Sequence, residues 1–384
     1  MKRVIDFFKK EAVLCISGIL ALASCFLVPP SEKYAEYIDF RVLILLLCLM
    51  LVVAGIRKTG AFTAVCEEIL ARFDNIRSIG AVMTTLSFFM SMLLTNDVTL
   101  VTLVPFTLLL FEKIPQISEN EGNKKFRAEI ILLVLETAAA NLGSMLTPMG
   151  NPQNLYLYSK FDLSFAEFFL IIFPYSLLSL ILILASVFLF LPNLRLEKNT
   201  EKSPQKTKIT GRNRVNLIIF AVLFAVNMLT ILRILNAWIL LVIIAAAVLM
   251  IDKKLFREAD YLLLLTFVFF FVFVGNLGAL PALSENLAKI FAGREVLLSI
   301  ALSQIISNVP AAILLSGISD NAAALIIGTD LGGLGTLIAS MASLITYKFY
   351  AAKKDSSPKK YIMIFTGFNL AYLILLGILY FVIS

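Results

Sequence analysis

The sequence predicts an all-α membrane protein built from two inverted repeats, each carrying a re-entrant hairpin and a broken helix. Three observations predict it: apolar residues come in membrane-length blocks, loop charges alternate between two sides of a bilayer, and four features recur in the same order in the two halves. Of 384 residues, 60% are hydrophobic and 15% charged, against about half and about a quarter in soluble domains. The excess sits in blocks approaching the roughly 17–25 residues that cross a ~30 Å hydrocarbon core. Nothing long and polar separates the blocks, so no soluble domain of ordinary size is hidden among them.

Residues 1–40 read as a leader to the first repeat. The basic start (Lys2, Arg3, Lys9, Lys10) and the apolar run 14–28 suggest a signal peptide, but no small-residue cleavage site precedes Pro29-Pro30, so the run reads as a retained helix. Basic residues also collect in the linker 193–214 and in the loops 252–259 and 347–361. By the positive-inside rule these segments face the cytoplasm, and this topology explains the net charge of +7 without a nucleic-acid partner.

The crossings follow from that alternation. A helix over 41–56 returns inward. The stretch 79–111 is apolar on both sides of Thr95-Asn96-Asp97 and has basic residues beyond both ends (Arg72, Arg77; Lys113, Lys124, Lys125, Arg127), so it reads as a re-entrant hairpin rather than a span. Spans follow near 130–158, 165–191, 215–232, 237–251 and 261–275. The stretch 296–316 breaks at Ser307-Asn308-Val309-Pro310 and reads as a hairpin entering from outside, because the helix near 322–346 has to end at the lysine-rich loop. The sum is about nine crossings in a plasma (inner) membrane, with the N-terminus cytoplasmic and the C-terminus outside.

The halves 41–192 and 215–384 rhyme. Asp39-Phe40-Arg41 and Asp260-Tyr261 each open an apolar helix, which ends at Gly55 and Gly275. An amphipathic stretch follows each, then a hairpin tipped Thr95-Asn96 or Ser307-Asn308. After each hairpin comes the pattern [Asn/Asp]-Leu-Gly-x-x-x-Thr, at residues 141–147 and 330–336. The two opening helices run in opposite directions, so the repeats are inverted. Paired broken helices in inverted repeats point to a secondary transporter with its site near the midplane, because unwound backbone persists at membrane depth only where it lines a cavity or binds something.

At these residues the chain resembles the ion transporter superfamily of arsenite permeases, sodium/proton antiporters of the NhaD type, citrate transporters and divalent-anion sodium symporters. The resemblance spans about residues 10–384. The segment Leu94-Thr95-Asn96-Asp97-Val98-Thr99-Leu100 with Pro105 resembles the first hairpin of the arsenite-permease branch. Thr147-Pro148-Met149-Gly150-Asn151-Pro152-Gln153-Asn154 resembles that family's first helix break, and Gly332-Gly333-Leu334-Gly335-Thr336 its second. The resemblance implies an elevator-type mechanism, commonly in a homodimer, with hairpin tips and breaks together holding substrate and coupling cation. The divalent-anion symporters carry Ser-Asn-Thr at both tips. Thr95-Asn96-Asp97 and Ser307-Asn308-Val309 depart from this, which puts a dicarboxylate in doubt and favours a sodium or proton site at Asp97.

The candidate substrate- or ion-binding residues are therefore Thr95, Asn96, Asp97, Ser144, Thr147, Asn151, Ser307, Asn308, Asp330, Gly333 and Thr336. Each has a plainer reading. The asparagines can cap half-helices, the hydroxyls can bond back to their own helix, and Gly333 can serve conformation rather than contact. Asp97, Asp330 and Glu136 are the coupling candidates, since an unpaired carboxylate at the helix centre costs about 2.5–3.5 kcal/mol. The rival for Asp97 and Asp330 is a helix N-cap, and that for Glu136 is an ion pair with a basic side chain of a neighbouring helix. A sodium ion near Asn96 and Asn308 is the coupling ion to look for, and no cofactor is expected.

Other functions are poorly supplied. The chain has no histidine, which excludes a Ser–His nucleophile, a histidine proton relay and a His-ligated metal. Cys15, Cys25, Cys48 and Cys66 lack metal-type spacing and read as small buried residues. No phosphate-binding loop is present and no paired aspartates sit in a Gly-x-Gly-Asp setting, so an ATP-driven pump and an intramembrane enzyme are disfavoured. Coupled transport of a small inorganic or organic anion (arsenite-, citrate- or dicarboxylate-like) is the first expectation and sodium/proton antiport the alternative, with a channel left open.

Overall fold

The computed structural model describes residues 12–73, 75–113, 119–194, 209, 211–280 and 289–383. Most of the basic linker, the basic start and the stretch expected to be amphipathic after Gly278 lie outside the described residues. Among those described, the regular elements are all helices.

Helix α1 spans Ala12–Leu27 and a single turn, α2, Tyr34–Tyr37. Helix α3 (Phe40–Lys58) starts where the Asp39 carboxylate accepts the Val42 N–H at 3.0 Å. Helix α4 (Ala61–Arg72) leads to α5 (Ile76–Leu94) and α6 (Asn96–Lys113), which are separated only by Thr95. Then come α7 (Glu119–Ser144), α8 (Pro152–Lys160) and α9 (Phe165–Phe190), the last opened by a reciprocal Ser164–Glu167 capping box.

The second half follows the same order. Helices α10 (Gly211–Ile231) and α11 (Ala237–Asp252) precede α12 (Tyr261–Gly278), where Asp260 accepts the Leu263 N–H at 2.9 Å as Asp39 does in α3. Helices α13 (Glu295–Ile306) and α14 (Asn308–Leu315) are separated only by Ser307. Helix α15 (Ala322–Gly332) ends at the second glycine-containing break, and α16 (Met341–Ala351) and α17 (Pro358–Ile383) close the chain.

Packing places α7 and α15 at the centre. Residues 128–142 of α7 and 324–332 of α15 are buried throughout. Helix α5 packs on α7 as α13 packs on α15, and α3 is flanked by α10 and α11. Helices α9, α10, α11 and α17 instead present rows of exposed large side chains, among them Leu170, Leu189, Val242 and Met363. So much exposed apolar surface is untenable in water and is what lipid requires.

Six described helices are long and apolar enough to cross a membrane: α3, α5, α9, α10, α12 and α17. The chain is thus an all-α, multi-pass membrane protein. Five of the six, α3, α9, α10, α12 and α17, fall among the expected crossings, about nine in all. The other four expected ones fall on elements that are short, α1 and α11, or interrupted, α7/α8 and α15/α16. The sixth, α5, was expected as an arm of a re-entrant hairpin and is nonetheless long and apolar enough to cross.

Candidate site between two helix breaks

Two single residues interrupt the two helix pairs with the same backbone geometry. Thr95 has φ 74° and ψ 152°, and Ser307 has φ 75° and ψ 156°. This region is essentially reserved for glycine and costs a side-chain-bearing residue on the order of 1–3 kcal/mol, a strain that collects at functional sites. Each tip is tied to the break of its own half by one backbone bond. The Asn96 N–H donates to the Gly150 carbonyl at 3.1 Å, and the Asn308 N–H to the Ala339 carbonyl at 3.0 Å.

The tips meet in one cavity of about 20 Å³ lined by Asn96, Asp97, Pro152, Gln153, Asn308, Val309, Ser340 and Met341, with Leu263 at its edge. Every lining residue lies in the first turn of α6, α8, α12, α14 or α16, or immediately precedes it, and of these five N-termini that of α12 is capped by the Asp260 carboxylate. Four helix N-termini without an acidic cap therefore converge, each equivalent to roughly half a positive charge. Among the described residues Asp97 is the one ionisable side chain on the wall and no basic residue lines the cavity, while the Asp260 carboxylate lies within electrostatic reach of Asp97. A water needs about 10–15 Å³ of such space, so this conformation encloses room for a water or a bare ion.

Behind the cavity the halves exchange side chains at matching positions. The Asn141 Oδ1 accepts from Ser340 Oγ at 3.0 Å, and its Nδ2 donates to Ser343 Oγ at 3.2 Å. In the other half, Asp330 accepts from Asn151 Nδ2 at 3.2 Å and Asn154 Nδ2 at 3.0 Å, with Gln153 Nε2 at 3.4 Å. Ser340 and Ser343 stand ten and thirteen residues beyond Asp330, as Asn151 and Asn154 stand beyond Asn141. The substitution of Asp330 for an amide makes one arm of the exchange acidic. Its carboxylate is met by three amides and by no basic side chain among the described residues.

The structure thus gathers Asn96, Asp97 and Asn308 at the cavity, and Ser144, Asn151 and Asp330 directly behind it. Asn96 Nδ2 donates to Asn141 Oδ1 at 3.0 Å, Ser144 Oγ accepts from Asn151 Nδ2 at 3.2 Å, and Ser307 Oγ donates to the Ala339 carbonyl at 3.3 Å. Gly333 lies against the Asn308 amide, where an added Cβ would approach Nδ2 to 3.0 Å. The Thr147 hydroxyl donates to the Met92 carbonyl and the Thr336 hydroxyl to the Gln304 carbonyl at 3.4 Å, so both tie a break to the arm entering the tip.

Glu136 lies apart. It is fully buried, its Oε1 accepts from Thr107 Oγ1 at 2.5 Å, and its Oε2 has no partner. Its polar contact is therefore a hydroxyl of α6, and no ion pair to it is found among the described residues.

Asn141, Gln153, Asn154, Ser340 and Ser343 were not among the candidates. Asn141 and Asn154 stand in the quoted motifs, whereas the two serines carry no local signal. Gln304 was also missed. Its amide donates to the Gly332 and Leu334 carbonyls at 2.9 Å each and its Oε1 accepts the Thr336 N–H, stitching the second break to its hairpin. Met92 holds the matching position in the first half, so no repeated pattern marks it.

Gly143 and Gly150 are required by close approach. A Cβ on Gly143 would run into the Phe88 carbonyl, and one on Gly150 into the Ser144 carbonyl. Gly150→Ala is expected to destabilise by about 1–3 kcal/mol through overpacking, and to shift the carbonyl that holds Asn96. A thermal unfolding midpoint equal to that of the parent protein would contradict the packing described.

Comparison with known proteins places this arrangement. The citrate transporter family profile matches residues 8–346. The chain belongs to the citrate transporter family. It is 32% identical over 346 residues to the uncharacterized transporter MJ0456 of Methanocaldococcus jannaschii, covering 90% of each chain. It is 30% identical over 336 residues to the inner membrane protein YbiR of Escherichia coli, covering 86% of this chain and 85% of that one. A shorter match, 30% over 157 residues, is to the silicon efflux transporter LSI3 of Oryza sativa, covering 41% of this chain and 30% of the rice protein. As a member of the citrate transporter family the protein is a membrane transporter and not an enzyme.

Proposed function

We propose that this citrate transporter family member is an ion-coupled secondary transporter that carries a small inorganic or organic anion by elevator-type alternating access. The observation that carries the reading is the convergence of four helix N-termini on one cavity. Their summed partial charges suit an anion without any lysine or arginine, beside the carboxylate of Asp97 and that of Asp260 within its electrostatic reach. Arsenite-, citrate- and dicarboxylate-like anions are the cargo classes, and the rice relative adds silicon. The cavity volume of about 20 Å³ means the tips have to part to admit a cargo as large as citrate.

The coupling ion is assigned to the same region. The C-terminal ends of α5 and α13, whose carbonyls suit cations, lie directly before the tips, so sodium belongs near Asn96 and Asn308. Asp97, Asp330 and Glu136 are the carboxylates available to carry a proton or balance a cation. The two single-residue breaks are read as tips of opposed re-entrant hairpins in inverted repeats, supported by their equal dihedral angles and by the exchange around Asn141 and Asp330. A homodimer with cytoplasmic N-termini and external C-termini completes the reading. A cysteine placed within residues 119–123 is expected to react with an impermeant reagent from the cytoplasmic side alone, and external labelling would make the first hairpin a true span.

One observation favours a second reading, sodium/proton antiport: among the described residues Asp97 is the only ionisable side chain lining a cavity of ion size. Proteoliposome flux under imposed sodium or proton gradients separates the two, screened over arsenite, citrate, succinate, sulfate, silicate and sodium. Gradient-accelerated anion uptake is expected. Sodium movement driven by a proton gradient with no anion present would establish antiport, and flux following only the cargo's own gradient would overturn both.

A further inference from the structure

A second cavity lies between the start of α3 and the turn joining α10 to α11. It measures about 390 Å³ and is lined by Arg41, Arg233, Ile234, Leu235, Asn236, Ala237 and Trp238. That is many times the roughly 10–15 Å³ a single water needs. Two guanidiniums face it, and the Tyr158 hydroxyl lies within electrostatic reach of both.

Their protein partners leave capacity unused. Arg233 forms an ion pair with Asp162, donates to the Asp162 and Tyr158 carbonyls at 3.2 and 3.5 Å and stands 5.4 Å from the centroid of the Tyr158 ring, so most of its donors are engaged, and its Nε is buried without a partner among the described residues. Arg41 donates to the Thr230 carbonyl at 3.3 Å and forms no ion pair among the described residues. The nearby carboxylates are committed, Asp162 to Arg233, Asp39 to the Val42 N–H and Glu167, within electrostatic reach of Arg233, to Ser164. The first turns of α3 and α11 add two helix N-termini beside the cavity. A monoanion with several acceptor oxygens would meet Arg41, and a guanidinium's fork of donors matches a phosphate's oxygens.

The mouth identifies the source of that phosphate. Ile234, Trp238 and Phe40 are 71%, 57% and 46% exposed, and the Phe40 and Trp238 rings pair at 6.3 Å. Both aromatics sit in the first turn of apolar helices, where bilayers place their aromatic belt at headgroup depth. A free anion would find no use for this apolar rim, whereas a phospholipid would lay its acyl chains along it.

We propose that the Arg41–Arg233 cavity binds the phosphodiester headgroup of an anionic phospholipid, with its acyl chains against Phe40, Ile234 and Trp238. Occupancy would hold α3, α10 and α11 at a fixed depth. The proposal needs the protein to be multi-pass but does not rest on what it transports.

The test is native mass spectrometry of the full-length protein in detergent, titrated with phosphatidylglycerol, phosphatidylcholine or inorganic phosphate. Phosphatidylglycerol is expected to bind most tightly. Arg41→Gln is expected to weaken it roughly ten- to 150-fold, the range for a lost hydrogen bond to a charged group. Trp238→Ala keeps both charges and is expected to weaken the lipid by severalfold, giving an independent readout should the arginine variant fail to fold. Equal binding of phosphatidylcholine, binding of inorganic phosphate as tight as that of the lipid, or unaltered phosphatidylglycerol affinity in either folded variant would overturn the proposal.

Discussion

Replacing Asn96 with alanine is expected to abolish flux while leaving the protein inserted in the membrane. The side chain works in three directions at once. Its Nδ2 donates to Asn141 Oδ1 at 3.0 Å, its Oδ1 accepts the Asp97 N–H at 2.9 Å, and it lines the cavity. Alanine removes the amide's bonds to Asn141 and to the Asp97 N–H and an amide facing the cargo. Loss of one hydrogen bond to a charged cargo is worth about 1.5–3 kcal/mol, or roughly ten- to 150-fold in affinity. Asn141 keeps its bonds to Ser340 and Ser343, so the scaffold survives. Asn308→Ala should behave alike, since its N–H is held by Ala339 as that of Asn96 is by Gly150. Flux in proteoliposomes, normalised to inserted protein, is the measurement, and parent-like transport by both variants would move the site elsewhere.

Asp330→Ala is expected to be the most destabilising single change at the centre of the protein. It leaves the buried amides of Asn151, Gln153 and Asn154 without their shared acceptor. Asn151 keeps its bond to Ser144 Oγ and Asn154 its bond to the Met145 carbonyl, so each loses one of two bonds, while Gln153 loses its side-chain acceptor outright. An unsatisfied buried donor costs about 1–3 kcal/mol. Asp330→Asn separates packing from charge. It restores an acceptor and gives the second half the residue type that Asn141 supplies in the first, so it should unfold much nearer the parent temperature. If Asp330 takes part in coupling, this variant should still lose gradient-driven flux. Equal thermal midpoints for the alanine and parent proteins would show that the amides find other partners. Parent-like coupled flux in Asp330→Asn would remove Asp330 from the coupling set.

Much of the fold was legible in the chain because bilayers impose simple rules. Length and apolarity mark helices such as α9 and α17, and Asp39 and Asp260 mark matching helix starts. The breaks at Thr95 and Ser307 were legible because a polar Thr-Asn or Ser-Asn pair inside an apolar run is too costly to leave on an unbroken span. The helix count was less legible. Continuous hydropathy does not distinguish one long span from two half-helices, and residues 130–158 hold both the end of α7 and nearly all of α8.

The site was legible only in part. Asn96, Asp97 and Asn308 announce themselves at the tips and line one cavity, but the Thr147 and Thr336 hydroxyls, attractive as ligands by type, are spent on backbone carbonyls of the hairpin arms. That bond depends on where the arm lies, which no local pattern specifies. Gln304 escaped notice for the opposite reason: its partners are backbone carbonyls at residues 332 and 334, and its counterpart Met92 is apolar.

By itself the sequence determined that this is a multi-pass, all-α member of a transporter family, and where its helices are interrupted, since both follow from the cost of placing polar groups in hydrocarbon. Only the tertiary structure decided that Asp330 faces three amides rather than a basic side chain, and that four helix N-termini without an acidic cap share one cavity. Those partners stand 176 to 179 residues from Asp330 along the chain. Periodicity and composition report the immediate neighbourhood of a residue, whereas a buried carboxylate takes its acceptor role from whichever donors packing brings to it.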